Sequence, residues 1–208
     1  MSRRLAAEFV GTAFLLAAVV GSGIMGDRLF NGNVGLALLA NSLATGAALY
    51  ALIQVFGPIS GAHFNPVVTL SDGGLSWRVR GAYMAAQILG AIVGVMTAHV
   101  MFSLPLLARA SHVRSGWAQG VSEWVATFGL LLVVRGCPPS KVPVAVAAYI
   151  TSAYWFTAST SFANPAVTVA RSLTDTFAGI RPADAPSFVL AQLLGALAAK
   201  RFADWIAR

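Results

Sequence analysis

Two short runs carry the same chemistry at the same spacing: Asn65-Pro66-Val67-Val68-Thr69 and Asn164-Pro165-Ala166-Val167-Thr168. Asparagine is among the best helix N-caps, because its side-chain oxygen accepts from a free backbone N–H. Proline suits the first helical position, where a missing N–H costs nothing. Each run therefore predicts the start of a short helix. That start is the positive end of a dipole, worth about half a charge, and the asparagine NH2 can donate to a passing oxygen. Carbonyls of segments 61–64 and 160–163 offer acceptors. A single Asn-Pro only punctuates a loop; two such pairs, facing one another, would hold a neutral polar molecule and repel a cation.

Each pair belongs to a larger repeat. Ala7-Glu8-Phe9-Val10-Gly11-Thr12 is echoed by Ser122-Glu123-Trp124-Val125-Ala126-Thr127, and Ala86-Gln87-Ile88-Leu89-Gly90-Ala91 by Ala191-Gln192-Leu193-Leu194-Gly195-Ala196. Both halves have one order: a span with Glu, a second span, the Asn-Pro segment, and a span with Gln and small residues. Three spans is an odd number, so the second half enters the membrane from the opposite side. The result is an inverted repeat, whose interface is where membrane proteins place a permeation path.

The elements that position these residues follow from composition. Of 208 residues, 57% are hydrophobic and 10% charged, with a mean hydropathy of +0.74. A soluble domain carries about 25% charged residues; a soluble enzyme, a disordered chain and a disulfide-stapled module are excluded. Six stretches can cross about 30 Å of hydrocarbon: Leu5–Gly26, Val34–Phe56, Val79–Leu104, Trp117–Arg135, Val142–Ala158 and Pro186–Ile206. Asn65–Leu75 and Asn164–Thr174 are too short to span. The expected fold class is an all-α membrane protein of six transmembrane helices plus two re-entrant half-helices. It forms a single channel domain over 1–208, with repeats at about 5–104 and 117–206.

Arg3, Arg4, Arg78, Arg80, Arg135, Lys141, Lys200, Arg201 and Arg208 fall on one side, and Arg28, Arg109, Arg114, Arg171 and Arg181 on the other. The richer side faces the cytoplasm, putting both termini inside. The basic N-terminal residues and the apolar run after them read as a retained first span rather than a cleaved signal. The net charge of +7 is scattered between apolar runs, a pattern of lipid anchoring and not of nucleic-acid binding. Cys137 has no partner for an internal disulfide.

With these motifs the chain resembles the aquaporin, or major intrinsic protein, family over nearly its whole length. Ala7–Thr12 is similar to the family's first-span signature, Ser60-Gly61-Ala62-His63-Phe64-Asn65-Pro66 to its first half-helix entry, and Phe162-Ala163-Asn164-Pro165-Ala166 to its second. The resemblance implies six tilted spans and two half-helices per pore, a homotetramer in the bilayer, and the bacterial inner membrane as location. The pore motif would be Asn65, Pro66, Val67, Asn164, Pro165 and Ala166. Most family members carry Arg immediately after the second Asn-Pro-Ala; here that residue is Val167, which removes a charge and several donors. The family's spacing puts the other constriction residues at Thr45, Ser152 and Ser161. A wide, neutral constriction follows, suited to glycerol-sized solutes or metalloid acids such as arsenite. The valine is similar to a bacterial aquaglyceroporin subgroup linked to arsenic detoxification.

Arg171 lies one turn beyond Val167 on nearly the same helical face, and Ala170-Arg171-Ser172-Leu173 resembles the usual Ala-Arg-Ser-Leu run displaced by a turn. It is either a charge moved to the outer vestibule or an ordinary solvated arginine. Asp72 holds the corresponding place after Asn65, before Gly73-Gly74. His63 is a vestibule residue, as a titrating gate or a hydrogen-bonded lining group. Glu8 and Glu123 either relay protons or brace the loops before the half-helices, and the family resemblance implies bracing. His99 and His112 have no cysteine or carboxylate cluster beside them, so no metal site is expected, and no cofactor or catalytic motif is present. Besides a passive channel for water and small neutral solutes, inverted repeats also build secondary transporters; these carry paired coupling carboxylates, which this chain lacks. A water-selective channel despite the missing Arg is the other alternative.

Overall fold

The computed structural model describes residues 1–206. The described residues are helical, with no strands. Six long helices are α1 (Ser2–Leu29), α2 (Val34–Ser60), α4 (Trp77–Met101), α5 (Trp117–Gly136), α6 (Val142–Phe156) and α8 (Ala185–Ile206); two short ones are α3 (Pro66–Ser71) and α7 (Pro165–Arg171). Arg208, counted above with the cytoplasmic set, lies outside the described residues. Four helices, α1, α2, α4 and α5, are long and apolar enough to cross a membrane on their own. A 3-10 turn at Pro139–Lys141 leads into the shorter α6.

The polarity is that of a membrane protein. Phe14, Leu43, Leu89, Trp155 and Leu190 are exposed on the outer faces, while Glu8, Thr12, Asn41, Gln87, Glu123 and Gln192 are buried. Apolar faces gain nothing by meeting in lipid, so the helices associate through close packing and polar contacts. Within the first half α1 packs on α2 and α4; within the second, α5 packs on α6 and α8. Gly90 and Gly94 of α4 let the α1 backbone approach: an added Cβ would overlap the carbonyl oxygens of Phe9 and Ala13 respectively. Gly195 of α8 stands in the same relation to Trp124 of α5. Asn41 ties α2 to α1, donating to the Val19 carbonyl at 2.7 Å and the Ser22 hydroxyl at 2.9 Å.

Between the halves, α2 meets α6, and α3 and α7 meet each other. The sequence places α2's end at Phe56, but the helix continues through Pro58 and stops at Gly61, whose φ of +91° reverses the chain toward α3. Arg4 lies over the Tyr83 ring, and Arg135 is paired at 2.6 Å with Asp204. The start of α1 and the end of α8 therefore share one end of the bundle, the end that holds His63.

Candidate functional site

Each half-helix starts as its first two residues dictate. Asn65 Oδ1 accepts from the Val67 N–H at 3.1 Å, and Asn164 Oδ1 from those of Ala166 at 3.0 Å and Val167 at 3.3 Å, with proline at N1 in both. The two asparagines also reach across the repeat. Asn65 Nδ2 donates to the Ala163 carbonyl and Asn164 Nδ2 to the Phe64 carbonyl, both at 2.8 Å. Each NH2 has two hydrogens, so one of each is fixed by this exchange and the other is left over. The acceptor carbonyls sit in backbone that L-residues rarely adopt: Ala62, Phe64, Thr160, Ser161 and Ala163 all have φ between +47° and +59°.

Two buried carboxylates hold that strained backbone. Glu8 accepts from the Ser60 hydroxyl (2.6 Å), the His63 and Phe64 N–H groups (3.0 and 2.8 Å) and the Gln87 amide (2.8 Å). Glu123 accepts from the Ser159 hydroxyl (2.6 Å), the Phe162 and Ala163 N–H groups (2.9 Å each) and the Gln192 amide (2.6 Å). The glutamines bond on to Thr69 and Thr168 of the half-helices. Every carboxylate oxygen thus has two donors, and neither glutamate lies beside the other for a relay.

A cavity of about 690 Å³ runs from Gly61, His63, Asp72 and Arg135 at one end, past both asparagines, to Thr45, Tyr154, Ser161, Val167 and Arg171. His63 lines it and is anchored, with Nδ1 3.1 Å from the Thr69 hydroxyl and Nε2 3.4 Å from Asp72. Asp72 also accepts from the Gly74 N–H at 2.6 Å. Thr45 Oγ1 lies 3.2 Å from the Tyr154 hydroxyl, and the buried Ser161 hydroxyl has no partner among the described residues.

Two expectations need correction. Ser152 does not reach the cavity: it is exposed on the outside of α6, its hydroxyl donating to the Tyr149 carbonyl at 2.7 Å. Tyr154 takes the wall instead, because two residues on a helix turn a side chain by about 200°. The wall at this end of the cavity is also not neutral, since Arg171 borders it, and it carries the aromatic side chain of Tyr154. Arg171 is 2% exposed, neither a solvated residue nor one displaced into an open vestibule. Its Nε donates to the Ala178 carbonyl, and its guanidinium carbon lies 3.5 Å from the Phe162 ring centroid.

Arg114 was legible only as a member of the basic tally. The fold buries it on the other approach to Phe162, 5.2 Å from the ring centroid, with Nε donating to the Gly179 carbonyl at 2.9 Å. Its own N–H is held by Asp184 Oδ2 at 2.9 Å. The hydrogen bond from the Arg181 side chain, aided by that N–H, holds the Asp184 carboxyl below its usual value, against the opposing effect of burial. A lowered folded value means the stabilisation is present above the ordinary carboxylate pKa of about 3.9 and fades as pH falls through the folded one. Amide hydrogen exchange at Arg114 is expected to stay slow from pH 7 to 5 and to rise, beyond its intrinsic pH dependence, as pH falls below 4. In Asp184→Asn the protection is expected to be reduced already at pH 7. Unchanged protection in Asp184→Asn at every pH would show that the charge of Asp184 does not secure this loop.

His99, buried at the same end, bridges the Pro105 carbonyl (2.6 Å) and the Thr174 hydroxyl (2.7 Å), a loop support.

Comparison with known proteins agrees with this architecture. The major intrinsic protein family profile matches residues 1–139. The chain is 53% identical to the aquaglyceroporin AqpS of Rhizobium meliloti (strain 1021), over 99% of this chain and 91% of that one. It is 34% identical to aquaporin NIP1-1 of Zea mays over 64% of this chain and 48% of that one. The solved aquaglyceroporin of Plasmodium falciparum superposes with a TM-score of 0.70 at 22% identity, covering 98% of this chain and 95% of that one, a likeness of fold. A continuous match of this length, joined to the paired half-helices and their glutamate braces, identifies the chain as a multi-pass membrane protein of the major intrinsic protein family.

Proposed function

We propose that the chain is a passive channel for water and small uncharged solutes, of a width that admits glycerol and trihydroxy metalloid acids such as arsenite. The observation that carries this reading is the cavity that passes both capping asparagines. A neutral solute shedding water there meets amide donors, hydroxyls and strained-loop carbonyls in turn, while two helix starts oppose a cation. Val167 supplies width, since a valine reaches less far than the arginine that most family members place there. The 53% identity to an aquaglyceroporin supports the same choice of solutes. The whole chain forms one channel domain, with both termini in the cytoplasm of a bacterial inner membrane and a homotetrameric assembly. The shared end of Arg4 and Asp204, together with the greater number of basic residues on that side, supports the orientation.

Stopped-flow light scattering of proteoliposomes tests the width. Val167→Arg is expected to lower glycerol permeability about tenfold while water permeability falls less than threefold. A Val167→Arg channel that passes glycerol as fast as the parent would overturn the part assigned to Val167.

A further inference from the structure

The outer end of the cavity contains a feature that the proposed channel reading leaves unassigned. Beyond Thr45, Tyr154 and Val167 lies a second, smaller chamber of about 170 Å³, lined by Asn41, His112, Arg114, Thr160, Arg171 and neighbouring apolar groups. Of these polar groups only Arg171 also borders the main cavity. We infer that Arg171 supplies, from one helical turn further along α7, the guanidinium that Val167 cannot, and that it is the specificity-determining partition between the two chambers.

The geometry explains how a displaced residue reaches back. Helical side chains lean toward the helix N-terminus, and one turn rises about 5.4 Å. An extended arginine on the Val167 face thus returns its head group to the level of that valine. The observed contacts agree. The guanidinium stacks on Phe162, which precedes Asn164, and Nε is tied to Ala178. Phe162 is itself backed by Phe188, edge to face at 5.1 Å, so the stacking platform is fixed.

What the head group offers is as telling as where it lies. No carboxylate among the described residues forms an ion pair with Arg171 or Arg114. Arg114 spends its Nε and Nη1 on the carbonyls of Gly179 and Ser159. Arg171 has only its Nε engaged, and neither terminal nitrogen has a protein acceptor among the described residues. Two buried cations with this division of labour give one anchored charge and one with donors left for a permeant. A neutral polyol can exchange hydrogen bonds with those donors as it passes; a hydrated cation meets two like charges at close range. The partition selects by size through Arg171 and by charge through Arg171 together with the anchored Arg114, and it leaves the wall at Val167 apolar.

The inference rests on the channel reading, and the experiment separates their failures. Full-length protein in liposomes is assayed for water, glycerol and a five-carbon polyol by stopped-flow, and for proton leak with an entrapped pH dye. Arg171→Ala is expected to raise the five-carbon polyol-to-water permeability ratio about tenfold and to raise proton leak severalfold. Arg171→Met, which keeps the stem over Phe162, carries the same comparison if the alanine variant does not fold. Arg171→Lys keeps the charge without the planar stack, so its polyol ratio is expected to rise while its proton leak stays near the parent's. A folded Arg171→Ala or Arg171→Met that conducts water with the parent's polyol ratio and leak overturns the inference. Parent protein that conducts neither water nor glycerol overturns the channel reading instead.

Discussion

Glu123→Ala is expected to destabilise the folded protein severely, and Glu8→Ala to do the same. Each carboxylate is fully buried and accepts four hydrogen bonds, two of them from the backbone of the loop before a half-helix. Removing it strands those donors in the buried interior. At about 1–3 kcal/mol per unsatisfied buried group, the loss is comparable to the 5–15 kcal/mol that holds a typical domain folded. The backbone it releases is also strained, with Ser161 and Ala163 at positive φ. Size-exclusion chromatography in detergent and thermal unfolding followed by circular dichroism measure the outcome. The expected result is aggregation, or a midpoint more than about 10 °C below the parent's. Glu123→Gln keeps one acceptor oxygen and turns the other into a donor facing two donors, so an intermediate loss is expected. A monodisperse alanine variant with the parent's midpoint would show that the carboxylate does not hold this loop.

Gly94→Leu is expected to be nearly as damaging, for a steric reason rather than a polar one. The added Cβ alone would overlap the Ala13 carbonyl oxygen and crowd the Leu16 side chain, both on α1. The obstacle is backbone, which cannot rotate out of the way; α1 and α4 must separate. Overpacking of a well-fitted site typically costs about 1–3 kcal/mol, and a displaced helix pair adds the loss of the α1–α4 contact. Because Glu8 lies on α1 and Gln87 on α4, separation also pulls apart their 2.8 Å hydrogen bond. Water flux per folded channel is expected to fall more than tenfold, alongside a lowered thermal midpoint. Gly81→Leu, on the same helix, is the control, since nothing lies within 4 Å of an added Cβ there and it does not border the cavity. Equal stability of the two leucine variants would dismiss close helix approach as the reason for the glycine.

How far the sequence carried this structure varied with the kind of signal. Asn65-Pro66 and Asn164-Pro165 marked both half-helix starts because cap and proline act locally, within one turn. Glu8 and Glu123 stood out because an unpaired carboxylate in an apolar span demands partners, although which N–H groups would answer depended on loops that fold back. The cavity wall beyond the asparagines was harder. Counting along α6 reached Ser152, but a helix face is lost when the count is off by two, and the wall residue is Tyr154. The spacing of Arg171 from Val167 sets it apart in the sequence, yet its burial depends on Phe162 and Ala178, which the chain brings together only in the folded state. Arg114 had no local pattern at all. Its position is set by a loop whose partners, Asp184 and Gly179, are far along the sequence.

The exchanged amides of Asn65 and Asn164 have a bearing on biosynthesis. When the nascent chain has only its first half in the bilayer, the Phe64 carbonyl and the Asn65 amide have no counterpart, since both are supplied by residues not yet translated. The first re-entrant loop must therefore stay hydrated, or wait outside the lipid, until residues 163 and 164 have left the ribosome and reached it. Closure of the lumen is a late event that requires both halves at once, and neither half can be matured and stored ahead of the other.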